Sequence, residues 1–169
     1  DGTDSSSPPT LTLGQSVGGT ISTSLEQDEY QFTLGATTLV AFDALVGTSS
    51  FRWSLDDGTN TLVTNRAFTA SDGSDVADGN AVLSLASGTY TLTIDAESGI
   101  TGEYGFRLIG LAAAATALTT GSATSGQLRN GKQTAVYSFS ATSGDRVHFD
   151  SVSWTGSGDA HWRIVNSSG

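Results

Sequence analysis

Cysteine is absent from this sequence of 169 residues, and basic residues are scarce. Without cysteine the chain can form neither a disulfide scaffold nor a thiolate metal site. Seven Lys and Arg stand against seventeen Asp and Glu, which gives a formal net charge of -10. Nucleic acids and anionic membranes both require a basic face, so we expect neither of them as a partner.

Long apolar runs are also lacking, and proline is rare. No run approaches the roughly 20 apolar residues that span a bilayer, so we expect no insertion into a membrane. Both prolines, Pro8 and Pro9, lie in a Ser-rich stretch over residues 1–10, and this composition is typical of a linker.

Most of the remaining sequence consists of short stretches in which apolar and polar residues alternate. Gly, Asp and Ser separate these stretches. A period of two places one face of each strand in a core, which predicts an all-β, antiparallel β-sandwich. The Ala-rich segment 112–117 favours at most one helical turn. The predicted inward-facing residues are Tyr30, Phe32, Leu34, Val40, Phe42, Phe51, Trp53, Leu55, Leu83, Leu85, Tyr90, Leu92, Ile94, Tyr104, Phe106 and Leu108.

The sequence also matches itself when it is shifted by 107 residues. The repeat predicts one complete sandwich over residues 11–112 and the first half of a second, incomplete copy over residues 113–169. An open half could be completed by further chain, by another chain or by strand exchange with an identical neighbour. The matched pairs include Gly14 and Gly121, Tyr30 and Tyr137, Phe32 and Phe139, Val40 and Val147, Phe42 and Phe149, and Asp43 and Asp150; with four extra loop residues, Phe51 matches Trp162.

Five sequence elements, at residues 14–21, 28–34, 51–58, 85–92 and 102–106, follow one another in a recognisable order. They read GQSVGGTI, DEYQFTL, FRWSLDDG, LASGTYTL and GEYGF. In these elements the chain resembles the bacterial pre-peptidase C-terminal domain family. The resemblance implies a small jelly-roll-like β-sandwich that serves secreted bacterial proteins as an accessory module, and that in some members binds Ca²⁺ or extracellular polymers.

The function that we expect from the resemblance and the repeat is non-catalytic. Two copies in tandem favour a structural or binding module of an adhesin-like protein, located outside the cell or on the bacterial surface. The alternatives are a C-terminal accessory domain of a secreted peptidase and a carbohydrate-binding module. The expected partners are neighbouring modules of the same protein and an extracellular protein or polysaccharide.

Signatures of catalysis are missing from the sequence. The two histidines, His148 and His161, lie only in the second copy, where the first copy has Ala41 and Ser50. Both are predicted to be surface residues. No nucleophile elbow, zinc-protease helix motif or phosphate loop is present. We therefore predict no catalytic residues and no enzyme activity.

The best metal candidate is a Gly-rich acidic loop that carries Asp72, Asp75 and Asp78. Carboxylate oxygens on a flexible loop suit Ca²⁺, although the spacing is not that of an EF-hand. The alternative is a solvated turn in which Asp side chains bond to the nearby backbone.

Two other features invite a functional interpretation. Trp154 lies in a Gly- and Ser-rich loop, where an exposed indole could stack on a sugar or enter a partner's groove, or could instead cap the end of the sandwich. Asp43 and Asp150 stand beside predicted core phenylalanines in both copies. Their repetition predicts a structural role, in which they bond to the backbone or to Arg52 and Arg163.

Overall fold

The computed structural model describes residues 7–71, 81–129, 133–156 and 160–169. Its main part is formed by eight strands in two four-stranded sheets. A single 3₁₀ turn, Phe68–Ala70, follows the fifth strand, and the short helix α1, Leu111–Ala114, follows the eighth. The strands are β1 Ser16–Ile21, β2 Asp28–Leu34, β3 Thr38–Val46, β4 Phe51–Asp56, β5 Thr61–Ala67, β6 Val82–Leu85, β7 Gly88–Ala96 and β8 Gly102–Gly110, followed by the two-residue strands β9 Thr116–Ala117 and β10 Tyr137–Ser138.

The strand order identifies the topology of the sandwich. One sheet has the order β1-β8-β3-β6 and the other the order β2-β7-β4-β5. The first strand therefore pairs with the eighth, the second with the seventh, the third with the sixth and the fourth with the fifth, all antiparallel. This nesting is that of a long hairpin folded over into two sheets, which is the jelly-roll arrangement. The predicted all-β sandwich is confirmed.

An aromatic cluster around Phe42 forms the centre of the core. The Phe42 ring stacks on Trp53 at 4.5 Å between centroids and on Phe106 at 5.1 Å, and Phe68 meets its edge. The buried indole nitrogen of Trp53 donates a hydrogen bond to Ser71 Oγ at 2.7 Å, so its one polar atom is satisfied. Of the predicted inward-facing residues, Tyr30 and Leu83 are partly buried and all the others are buried.

Strands β1 and β5 were not predicted from alternation, and each departs from it for a local reason. In β1, Gly19 lies directly under the Tyr104 ring, where an added Cβ would collide with the phenol. In β5, Asn65 adopts φ of 50°, and the register with β4 shifts between Trp53 and Leu55. A bulge of this kind breaks the period of two that marks a strand in sequence.

The residues after β9 have little regular structure. Within the described part of this segment, β10 is the only strand. Most of the large apolar side chains of the segment are exposed. The helices found in the described residues are all too short or too polar to cross a membrane. The predicted division at residue 112 and the predicted second copy stay predictions.

We expect Phe42→Ala to lower the free energy of unfolding by about 4 kcal/mol, because it removes a buried ring that contacts three others. The matched variant is Phe149→Ala at the repeat-equivalent position. Phe149 is 36% exposed, against 3% for Phe42, so its loss should cost clearly less, about 1 kcal/mol. Urea unfolding of both variants measures the difference, and equal losses would contradict this description of the core.

Candidate functional site

A buried ion pair lies on the outer face of the β1-β8-β3-β6 sheet. Asp43 of β3 and Arg107 of β8 are directly opposite each other in the antiparallel register. Their neighbours Phe42 and Phe106 point into the core, so strand alternation turns the charged side chains to the other face. Arg107 Nε donates to Asp43 Oδ2 at 2.6 Å, and the Asp43 side chain is fully buried.

The pair binds the backbone of a distant segment. The Thr134 amide donates to Asp43 Oδ1 at 2.9 Å, and Arg107 Nη2 donates to the Thr134 carbonyl oxygen at 2.6 Å. One residue therefore offers its donor to the carboxylate and its acceptor to the guanidinium. Hydrogen bonds to charged groups are about twice as strong as neutral ones. Because the amide and the carbonyl of the same residue are both bound, the contact fixes the position and the direction of the segment.

A short parallel ladder continues the contact. Strand β10 pairs with β9, with Tyr137 opposite Thr116 and Ser138 opposite Ala117. The Thr116 amide donates to the Val136 carbonyl at 2.9 Å, and the Leu118 amide donates to the Ser138 carbonyl at 2.7 Å. The described residues after β9 are called the second segment. Its backbone is thus held at Thr134 by Asp43 and Arg107 of the sandwich, and at β10 by pairing with β9.

The local geometry of the first copy recurs at the repeat distance of 107 residues. The parallel bridge between Thr10 and Gln31 corresponds to the pairing of Ala117 with Ser138. The Leu11 amide bonds to the Gln31 carbonyl at 2.7 Å, the same distance as in the Leu118 and Ser138 pair. The turns agree as well: Gln15 donates to Thr12, and Ser122 donates to Thr119, both at 3.1 Å, with Gly14 at φ of 85° and Gly121 at 80°.

Asp43 has the structural role that its repetition predicted, but with a different partner. It bonds to the backbone, as expected, and its cation is Arg107 rather than Arg52. Arg52 instead pairs with the exposed Glu97. The partner was missed although the sequence carries a signal for it. Arg107 stands between the apolar residues Phe106 and Leu108, as Asp43 stands between Phe42 and Ala44, and two such charges satisfy each other when the strands pair.

Burial raises the pKa of the Asp43 carboxyl above its usual range. The loss of hydration acts most strongly. The hydrogen bond and charge of Arg107, together with hydrogen bonds from the side chain and the amide of Thr134, offset it only in part. Because the folded-state pKa is the higher one, this group contributes stability that is present below the unfolded pKa of about 3.9 and is lost as pH rises through the folded value.

A second polar cluster ties the two sheets together. The hydroxyls of Tyr30 and Tyr104 are 2.6 Å apart, and Tyr104 donates to the Asp28 carboxylate. Burial raises the pKa of both phenols, and for Tyr104 the bond to Asp28 raises it further. Both phenols stay protonated at neutral pH, so this cluster links β2 and β8 and neither phenol is poised to act as a general base.

The predicted metal ligands cannot be placed. Asp72, Asp75 and Asp78 lie outside the described residues, and Ca²⁺ binding there stays a prediction. In the ranges that are described, no three His, Asp or Glu side chains come together as a metal site would require.

Trp154 and the two histidines lie in the segment that follows β10. The Trp154 side chain is 48% exposed, and its ring lies 3.2 Å from the point where a Cβ on Gly156 would be. His148 and His161 are exposed, as predicted, although neither lies on a strand. Ligand binding by Trp154 stays a prediction.

Neither a protein-family model nor a curated protein matches this chain. Among solved structures, it is similar to the pre-peptidase C-terminal domain of a collagenase from Bacillus anthracis, with 17% identity and a TM-score of 0.47 over 60% of this chain and 94% of that one. It is also similar to PliG of Salmonella Typhimurium, a periplasmic lysozyme inhibitor of g-type lysozyme, with 15% identity and a TM-score of 0.46 over 62% and 98% of the two chains. The first of these structures belongs to the family that the sequence resembles.

Carboxyl NMR titration should separate Asp43 from Asp57. The Asp43 pKa should lie above the usual value, whereas the backbone amides of Asn60 and Thr59 hold the pKa of Asp57 below it. The stabilising contribution of Asp57 is therefore lost as pH falls, and that of Asp43 as pH rises. Replacing Arg107 with Gln should raise the Asp43 pKa further.

A pKa of Asp43 below its usual value would contradict this description. It would mean that Arg107 and Thr134 more than replace the water that the carboxylate loses.

Proposed function

We propose that this chain is a non-catalytic spacer from an exported bacterial protein, in which successive copies of one repeat are held in a fixed relative orientation. The observation that carries the proposal is that Asp43 bonds to a distant part of the chain. It is the one charged side chain that is fully buried in the described ranges. Its carboxylate bonds to Arg107 and to Thr134 of the second segment. A charge placed in this way positions chain rather than substrate.

The geometry of the contact suits a fixed joint. A donor and an acceptor of the same residue are engaged at once, so Thr134 cannot rotate or slide without losing both bonds. Removing one member of a buried pair leaves the other charge uncompensated, which typically costs about 3 kcal/mol or more. Misaligned arrangements of the two segments are therefore disfavoured by a large margin.

The connection between the two segments is short. Helix α1 begins at Leu111, directly after β8 ends at Gly110, and β9 begins at Thr116. The chain thus passes from the sandwich into the parallel ladder through a single helical turn. Such a connection leaves little slack between the sandwich and β9.

The cellular setting is part of the proposal. The resemblance to pre-peptidase C-terminal domains and the tandem repeat support an extracellular or cell-surface, adhesin-like protein. An accessory domain of a secreted peptidase is the alternative, and there the same joint would orient the module relative to its neighbour. Binding to an extracellular protein or polysaccharide would then be the task of other parts of the array.

Carbohydrate binding through Trp154 stays a prediction, and exposure alone does not single this residue out. Its indole is exposed, but Val152 and Trp162 of the same segment are even more exposed, at 77% and 69%. The exposure of Trp154 therefore does not set it apart from its neighbours in this segment.

Residual dipolar couplings test the fixed joint. One alignment tensor fitted to the amides of residues 16–110 should also reproduce the couplings of residues 116–118 and 134–138. In Asp43→Ala the second set should require its own tensor, because Thr134 loses the acceptor for its amide. Unchanged amide shifts over residues 16–110 would show that the sandwich itself is intact.

The control for this experiment is Glu97→Ala, which also deprives an arginine of its carboxylate partner but on the exposed surface. It should leave the single tensor valid. If the wild-type protein itself needs two tensors, the fixed joint is refuted.

A further inference from the structure

A polar cleft of about 410 Å³ lies along strand β5, which is at the edge of the β2-β7-β4-β5 sheet. Its lining consists of Arg52 of β4 and residues 62–66 of β5, the last of which is Arg66. Two of the seven basic residues in a chain of net charge -10 therefore meet in one place. The cleft is on the sheet that does not carry Asp43, so a ligand bound in it is separate from the joint at Thr134.

A β-bulge forms one side of the cleft. Opposite the single residue Ser54 of β4, strand β5 has two residues, Thr64 and Asn65. Asn65 adopts φ of 50°, the one positive φ of a non-glycine residue in the described ranges, and its amide donates to Ser54 Oγ at 3.0 Å. Bulges at sheet edges re-aim side chains, and left-handed residues of this kind cluster at binding sites. The bulge turns a sheet edge into a recess that polar side chains line.

The guanidinium of Arg52 is only partly used within the chain. Its Nη2 pairs with the carboxylate of Glu97, which lies on the surface. Its Nε is buried and has no acceptor among the described residues. A buried donor without an acceptor is costly, and in native structures a missing ligand is one explanation for it. Because pairs of arginine and carboxylate are frequently bidentate, a single bond to Glu97 leaves the fork of Arg52 incompletely engaged.

Arg66 is held over an aromatic ring. Its guanidinium carbon lies 5.5 Å from the centroid of the Trp53 ring. A cation stacked on an indole uses the face of its planar group, so its N–H donors point outward in the plane of that group. Stacking also restricts the side chain, and less rotamer freedom is lost when such a residue binds a ligand.

The lining indicates the chemistry of the ligand. Two guanidiniums suit a planar group with two anionic oxygens, which is a carboxylate. The hydroxyl of Thr64 and the carboxamide of Asn65 suit the hydroxyl groups of a sugar. The net charge of -10 disfavours a polyanion, because the rest of the surface would repel its other charges. A single carboxylate on an otherwise neutral sugar chain fits all three constraints.

We propose that the cleft between Arg52 and Arg66 binds the carboxylate of a sugar acid in an extracellular polysaccharide that carries such acids sparsely. The carboxylate bonds to the two guanidiniums, and Thr64 and Asn65 bond to hydroxyl groups of the ring. This gives the spacer an attachment point on the sheet opposite the joint. The proposal rests on the exported setting of the proposed function, but not on the joint at Thr134.

Methyl glucuronide is the probe, titrated into the full chain while NMR follows the Nε–H signals of the arginines. We expect saturable shifts of the Arg52 and Arg66 signals, whereas the Arg107 signal should not move. Methyl glucoside, which lacks the carboxylate, should cause no shift. Acetate, which lacks the ring, should bind at least about tenfold more weakly than the glucuronide.

Matched variants separate the geometry of the fork from its charge. Arg52→Lys and Arg66→Lys should each weaken binding at least about tenfold, because lysine keeps the charge but cannot bond bidentately. Glu97→Gln should tighten binding, since it removes the carboxylate that competes for Arg52. Arg129→Lys, at an exposed position of the second segment, is the control and should have no effect. Unchanged amide shifts of β3 and β8 show that each variant keeps the sandwich.

Four results would overturn the proposal. They are the absence of saturable shifts up to the solubility of the glucuronide, an equal response to methyl glucoside, unchanged binding in both lysine variants, and weaker binding in Glu97→Gln. Tighter binding of N-acetylglutamate methylamide than of the glucuronide would also contradict it and would assign the cleft to an acidic peptide. Failure here with a single tensor in the dipolar couplings would leave the proposed function standing.

Discussion

In the proposed spacer, the ion pair between Asp43 and Arg107 is the interaction on which the arrangement of the two segments depends. It is set by strand pairing, since the two residues face each other across β3 and β8. The same register turns Phe42 and Phe106 inward, where they stack. Core packing and the charged outer contact are therefore two consequences of one alignment, and a shift of one residue would turn the charges toward the core and the rings away from it.

The cost of this interaction explains its use. An ionised carboxylate loses hydration when it is buried, and the raised pKa of Asp43 shows that its partners do not compensate fully. A hydrophobic pair at this position would serve stability at least as well. A charged pair selects one arrangement, because only a backbone amide and carbonyl in the right places complete it, as those of Thr134 do. Specificity of orientation is thus a better account of Asp43 than stability.

Sequence patterns predicted the sandwich because its core residues, such as those flanking Trp53 and Leu92, alternate without interruption. Strand β5 escaped prediction because the backbone at Asn65 breaks the period, which no propensity reveals. The repeat pointed to Asp43 as structural, whereas Thr134 could not be found from sequence, because two of the groups through which it acts are its backbone amide and carbonyl, which every residue but proline offers. Contacts made by the main chain become visible only when the fold places them.

Amide hydrogen exchange at Thr134 tests the central claim most directly. If Asp43 and Arg107 hold this residue, its amide should exchange at least about a hundredfold more slowly than an unstructured amide. That protection should vanish in Asp43→Ala while the amides of β3 and β8 keep theirs. Rapid exchange of the Thr134 amide in the wild-type protein, beside protected β3 and β8, would show that the ion pair does not join the two segments.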